Sequence, residues 1–241
     1  MIFKKKYAML VMCAVAIGCS TSVEASERYL FLQHLLTTLE SVGNSATYVD
    51  KADLGKEIFI GQIKSVKEAA LLMEVHKDSN QIEIYNAQAA VQSALFLIKE
   101  GNQEILTAYE QSLNQTENQA LLDFEKVVKA NNQKIVMGWK SLIMSRFHIL
   151  PVLFGENPQL SSMEGNLPFK ISGNERVRLV TQVSEIKNRL SQISHLSGAK
   201  STSFILDLKE YLIFFENLLK AETIDQVVNQ NRTVPKTKGT G

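Results

Sequence analysis

The sequence predicts an all-α protein: an elongated, antiparallel bundle of five or six helices that ends in a helical hairpin. Three observations predict it. From Ser26 onward, apolar residues recur three and four positions apart, the helical period. The four prolines are Pro151, Pro158, Pro168 and Pro235, so the first 150 residues contain none, whereas an all-β chain needs frequent Gly- and Pro-rich turns. Candidate helix starts carry reciprocal capping patterns, the clearest being Ser172-Gly173-Asn174-Glu175. At 241 residues and 45% hydrophobic content, the chain has enough apolar material for a core, which excludes a disordered or collagen-like chain.

The first helical segment carries Leu32, Leu35, Leu36, Leu39 and Val42 on one stripe, and Gly43-Asn44 is expected to stop it. The second runs from about Asp50 to Lys77, with Leu54, Ile58, Ile63, Val66, Ala70 and Met73 on its stripe. The third opens at Asn80-Gln81-Ile82-Glu83 and carries Ile84, Ala87, Val91, Ala94, Leu95 and Ile98; Gly101-Asn102 is expected to bend or break it before Ile105 and Tyr109. The fourth opens at Thr116-Glu117-Asn118-Gln119 and continues through Val128, Ile135, Trp139 and Leu142 towards Pro151. Residues 26–154 then form an N-terminal helical bundle.

Gly155 to Ser172 holds two prolines, Gly165 and several Ser and Asn, and reads as an irregular connection over 155–172. Structureless loops of that length are uncommon and often functional; the alternative reading is a simple linker between two helical units. The capping box that follows starts a helix with Leu179, Val183, Ile186, Leu190 and Ile193, spaced as a heptad seam. After Gly198, Ile205, Leu208, Leu212, Phe215 and Leu219 form a second seam. Two matched seams across a Gly-containing turn predict an antiparallel hairpin over 173–230, too short to stand alone and therefore packed on the first bundle. Thr223-Ile224-Asp225-Gln226 marks a last short helix, and 231–241 is a polar tail expected to be disordered.

The N-terminus carries an address. Lys4, Lys5 and Lys6 precede an uncharged, mostly apolar run from Tyr7 to Ile17, the layout of an export signal over 1–25 and too short to span a bilayer. Two cleavage readings follow. Val23-Glu24-Ala25 is a small-x-small site that would start the mature chain at Ser26, and this is the favoured reading. Alternatively, Ala16-Ile17-Gly18-Cys19 resembles the lipobox of bacterial lipoproteins, with Ala16 where a larger aliphatic is usual. That resemblance implies a lipidated Cys19 and membrane attachment through its acyl chains. The expected location is the periplasm, or the outer membrane's surface, of a bacterium.

Cys13 and Cys19 are the only cysteines. Cleavage after Ala25 removes both, and with them disulfides, thiolate nucleophiles and Cys-based metal sites. Lys and Arg number 26 against 25 Asp and Glu, a balance that offers nothing to draw nucleic acid. His34, His76, His148 and His195 lie on different segments without metal-ligand spacing. Ser184-Glu185-Ile186-Lys187 and Ser197-Gly198-Ala199-Lys200 match Ser-x-x-Lys, but the companion motifs of that chemistry are absent. Asp207 and Glu210 stand one turn apart beside lysines and read as a solvated face. No catalytic residue, cofactor or metal site is expected.

What remains is surface. The stretch 135–154 combines Met137, Trp139, Met144, Phe147 and Phe154 with Lys140, Arg146 and His148. Such a face touches a partner groove or lipid, or packs into the core with its cations snorkelling. Function is expected on the 155–172 connection together with the 135–154 face, and Phe169, between Pro168 and Lys170, is the best single partner anchor, the alternative being a pin that folds the connection back. Trp139, Phe147, Phe154 and Phe169 are therefore the partner-binding candidates. The function expected is a non-enzymatic binding or assembly subunit of the cell envelope, with a protein partner. Its outline is shared by helical periplasmic subunits of secretion or conjugation machines. The alternatives are a membrane-active protein using 135–154, and a ligand carrier or enzyme built in the bundle core.

Overall fold

The computed structural model describes residues 25–49, 56–112, 117–155, 169–193 and 199–221. Residues 1–24 of the export segment, Cys19 among them, the last short helix and the tail lie outside them, as does most of the 155–172 connection. Among the described residues the structure is all helical. The helices are α1 Glu27–Val49, α2 Lys56–Glu74, α3 Ile82–Ser112, α4 Glu117–Met144, α5 Ile149–Phe154, α6 Gly173–Ile193 and α7 Ala199–Lys220, with a 3₁₀ turn at Ser145–His148 between α4 and α5.

Among the described residues the count is seven where five or six were expected, and Pro151 explains the extra one. Pro151 has no amide hydrogen to give Phe147, and its ring would press on that carbonyl in a continuous helix. The chain tightens into the 3₁₀ turn instead and restarts as α5, where Pro151 occupies the first turn and needs no partner. Arg28 reaches the other end of α5, donating to the Val152 carbonyl at 2.8 Å. Its second nitrogen pairs with Glu83 at 3.2 Å. Gly155, at φ 96°, ends α5 in a conformation that side chains rarely adopt, and its amide donates back to the Pro151 carbonyl at 2.7 Å.

Two glycine-based expectations are corrected. Gly43-Asn44 does not stop α1, which continues to Val49. A Cβ at Gly43 would lie 2.8 Å from Cδ2 of both Leu190 and Leu208, so the glycine is the notch into which α6 and α7 settle. Gly101-Asn102 does not break α3, which runs unbroken from Ile82 to Ser112 with both residues buried. In each case burial outweighs a helix penalty of only about 1 kcal/mol for glycine.

Neighbouring long helices pair antiparallel. Thr38 meets the Ala69 carbonyl and Ser41 meets Ser65 across α1 and α2, and His34 meets His76 on the turn after α2. Gly138 lies on Ala94 and Ile98 across α3 and α4, the most extensive contact in the molecule. The hairpin α6–α7 docks on α1, and there the direction changes: α1 and α6 run parallel. The Ser26 amide donates to Glu175, Gln182 to the Gln33 carbonyl and Arg189 to Glu40, each pair 149 positions apart. The three rungs are spaced by heptads on both helices. A single cluster of buried side chains draws on all seven helices.

Candidate functional site

Where α4 and α7 cross, Trp139 lies flat on Phe204, ring centroids 4.7 Å apart and planes 11° off parallel. Both are buried. Next to Trp139, Gly138 packs α4 on α3. Between α4 and α7 lies a groove of about 1150 Å³, large even for a small-molecule site. On one wall α4 presents Val136, Met137, Lys140, Ile143 and Met144; on the other α7 presents Ser203, Asp207 and Glu210. The spacing of the α4 residues puts them on one outward stripe, adjacent to the inward stripe of Ile135, Trp139 and Leu142. Met137 and Met144 are each 59% exposed and Phe147, just beyond, 52% exposed.

The rim carries opposite charges on its two sides. Lys129, Lys140 and Arg146 line the α4 side, Asp207 and Glu210 the α7 side. The Arg146 guanidinium also sits 5.0 Å from the centre of the Phe147 ring. A floor of stacked aromatics, a wall of flexible methionines and a dipolar rim make a surface that accepts an apolar stripe and orients it by charge.

The four candidates thus separate. Trp139 forms the floor, and Phe147 is the exposed aromatic beside the groove. Phe154 is buried at the end of α5, its ring 4.6 Å from that of Phe169. Phe169 also lies under the Arg176 guanidinium at 4.1 Å, while the Lys170 amide donates to the Leu153 carbonyl at 2.8 Å. Of the two roles set out for Phe169, these contacts match the pin: they tie the returning end of the connection to the place where it left. Phe204, absent from the sequence candidates, had a signal. Phe204, Tyr211 and Leu218, spaced by sevens, widen the seam read from sequence by a further row beside Leu208 and Phe215.

Two side-chain clusters bring together polar groups from different segments. His34 Nδ1 and His76 Nε2 are 3.0 Å apart, so one ring donates and the other accepts. The buried His76 also meets the Phe31 ring edge-on. Burial, and then His34, push the His76 imidazole below its ordinary range, with Glu27 opposing. No group of three metal-ligating side chains occurs among the described residues. The Ser184-x-x-Lys187 pair does converge, on Glu216: Ser184 Oγ donates to one carboxylate oxygen at 3.2 Å, Lys187 pairs with the other, and Lys220 adds a bond of 2.6 Å. Burial pushes Glu216 upward, but the two lysines outweigh it and hold the carboxyl below its ordinary range. Both ammoniums are committed to the carboxylate, so neither is placed to take a proton from Ser184; the cluster clamps α6 to α7.

The chain matches no family model, no curated protein and no solved structure. No helix among the described residues is long and apolar enough to cross a membrane.

Proposed function

We propose that the protein is an exported, non-enzymatic binding or assembly subunit of the bacterial cell envelope, and that the α4–α7 groove receives an amphipathic helix of a protein partner. The observation that carries the reading is the exposure of Met137 and Met144 over the stacked Trp139–Phe204 floor. Helix-in-groove recognition needs such an apolar trough, and methionines suit it because they repack around a ligand at little cost. The rim sets the occupant's chemistry. Acidic side chains would lie towards Lys129 and Lys140, and basic ones towards Asp207 and Glu210.

Photo-crosslinking in the native envelope tests this. A crosslinker at position 137 or 144 should trap a discrete partner, and one at Val75, exposed on the turn after α2, should not. Lys140→Glu should weaken the groove crosslink without lowering the melting temperature. Equal trapping at Val75 would sink the groove reading. Binding of the purified protein to anionic liposomes, lost on Met144→Glu, would replace it with a membrane surface.

A further inference from the structure

The junction between residues 25 and 26 lies at the first rung of the α1–α6 ladder. Ser26 is the N-cap of α1: its hydroxyl accepts the Tyr29 amide at 3.2 Å and its carbonyl the Leu30 amide at 3.0 Å. Its own nitrogen donates to Glu175 Oε1 at 2.8 Å. The other oxygen of Glu175 accepts the Ser172 amide at 2.7 Å, and Ser172 Oγ accepts the Glu175 amide at 3.2 Å. A capping box uses one carboxylate oxygen. Here the second is spent on the nitrogen that opens a different helix.

The small-x-small site Val23-Glu24-Ala25 ends directly before that nitrogen. We propose that the Ala25–Ser26 bond is cut by a signal-cleaving peptidase of the export pathway, and that Glu175 then holds the freed α-ammonium of Ser26, locking α6 onto α1 as a consequence of maturation. The inference rests on the export reading. In the cut, the bond between the Ala25 carbonyl carbon and the Ser26 nitrogen breaks. Water's hydroxyl joins the carbon and its hydrogen the nitrogen; the new acid's proton passes to the amine, leaving a carboxylate on the released segment and an ammonium on Ser26. One neutral donor becomes a cation with three.

The physical case is one of charge. An ammonium at a helix start opposes the helix dipole. A carboxylate in contact reverses that penalty, and a charge-assisted hydrogen bond is about twice as strong as a neutral one. Glu27, in the first turn of α1, adds negative charge on the same side. The arrangement is specific to one cut: a terminus at Cys19 would leave the Ser26 nitrogen a neutral amide. Ala25 is partly buried against the core in the folded chain, so the bond is more accessible to a peptidase before α1 docks.

The test has two arms. The N-terminus of protein recovered from the envelope should be Ser26; a lipidated Cys19 or an intact Met1 would overturn the cleavage, and with it the lock. The second arm is a double-mutant cycle on the mature chain, with the terminus free or acetylated and residue 175 Glu or Gln. Glutamine keeps an oxygen for the capping box and removes the charge. Glu175→Gln should lower the melting temperature more when the terminus is free. The free α-amino group should titrate above the usual range of about 7.7–8.0 and return to it in Glu175→Gln. Equal losses with free and acetylated termini, or ordinary titration with Glu175 present, would sink the lock while leaving the cleavage site standing.

Discussion

A methyl group added to Gly138 and one added to Gly61 should act in opposite directions. At Gly138 the new carbon would lie 2.5 Å from Ile98 Cγ1 and 2.9 Å from the Ala94 carbonyl oxygen. Backbone cannot swing aside, so α4 must move off α3, and Gly138→Ala should cost about 1–3 kcal/mol, the range for overpacking. At Gly61, exposed in α2, nothing lies within 4 Å; Gly61→Ala should stabilise by roughly 0.5–1 kcal/mol through helix propensity alone. Urea midpoints that moved the same way in both variants would contradict the packing described. The histidine pair gives a pH test. His76 binds its proton more weakly folded than unfolded. Its stabilisation is therefore complete above the ordinary value of 6.5 and is lost as pH falls from there through the lowered folded value. Glu175 and Glu216, both held below 4.5, act in the same direction but only at lower pH. Urea midpoints should thus start to fall as the pH drops below 6.5, and His76→Asn should flatten the first part of that fall. None of this is legible in the sequence. His34, on α1, and His76, on the turn after α2, are 42 positions apart with no metal spacing, and only the antiparallel register of α1 and α2 makes them neighbours.

Helices start where local chemistry says and stop where packing says. The Ser172–Glu175 box is closed in both directions, as its four residues predict, because both bonds lie within one turn. Ser172→Ala should cost about 1 kcal/mol by removing the cap. The heptad seam is equally legible: Leu179, Val183, Ile186 and Leu190 are all fully buried. Leu190→Ala should cost about 2–5 kcal/mol, because Leu190 fills the notch that Gly43 leaves on α1. If neither change moved thermal unfolding, the hairpin would not be docked on α1 as described. Gly43 illustrates the limit of local reading. As a glycine before an asparagine it carries every mark of a helix end, and nothing within its own helix reveals that two leucines from residues 190 and 208 need the space. The heptads hid a partner in the same way. They identify two seams, yet the parallel pairing of α1 with α6 emerges only from rungs that repeat at a constant offset.

Across the whole molecule, α1 touches α2, α6 and α7, while α4 reaches the hairpin through a shorter contact with α7. This connectivity decides how the bundle unfolds. The bundle and the hairpin, separable as sequence segments, share one cluster of buried side chains, and Trp139 on Phe204 is where α4 and α7 close it. The candidate groove opens at that closure, which is why half of it was visible in advance. The α4 face reads from its own period, whereas the α7 wall depends on how two distant helices cross. Trp139 is the only tryptophan, so its fluorescence reports this one crossing, and far-ultraviolet circular dichroism reports all the helices. If the shared core makes the molecule one cooperative unit, the two signals should follow the same urea transition, with the same midpoint and slope. Were the hairpin an independent unit, the stack would part first and the fluorescence midpoint would fall below that of the dichroism. Phe204→Ala sharpens the test. It removes the stacked ring without touching the α1–α6 ladder, and should cost about 3–5 kcal/mol, the range for a buried phenylalanine. Coincident transitions displaced together in that variant are the expected result. A fluorescence transition that moved while the dichroism stayed in place would mean that α4 and α7 are held together by the stack alone, and that the groove opens and closes without the rest of the fold.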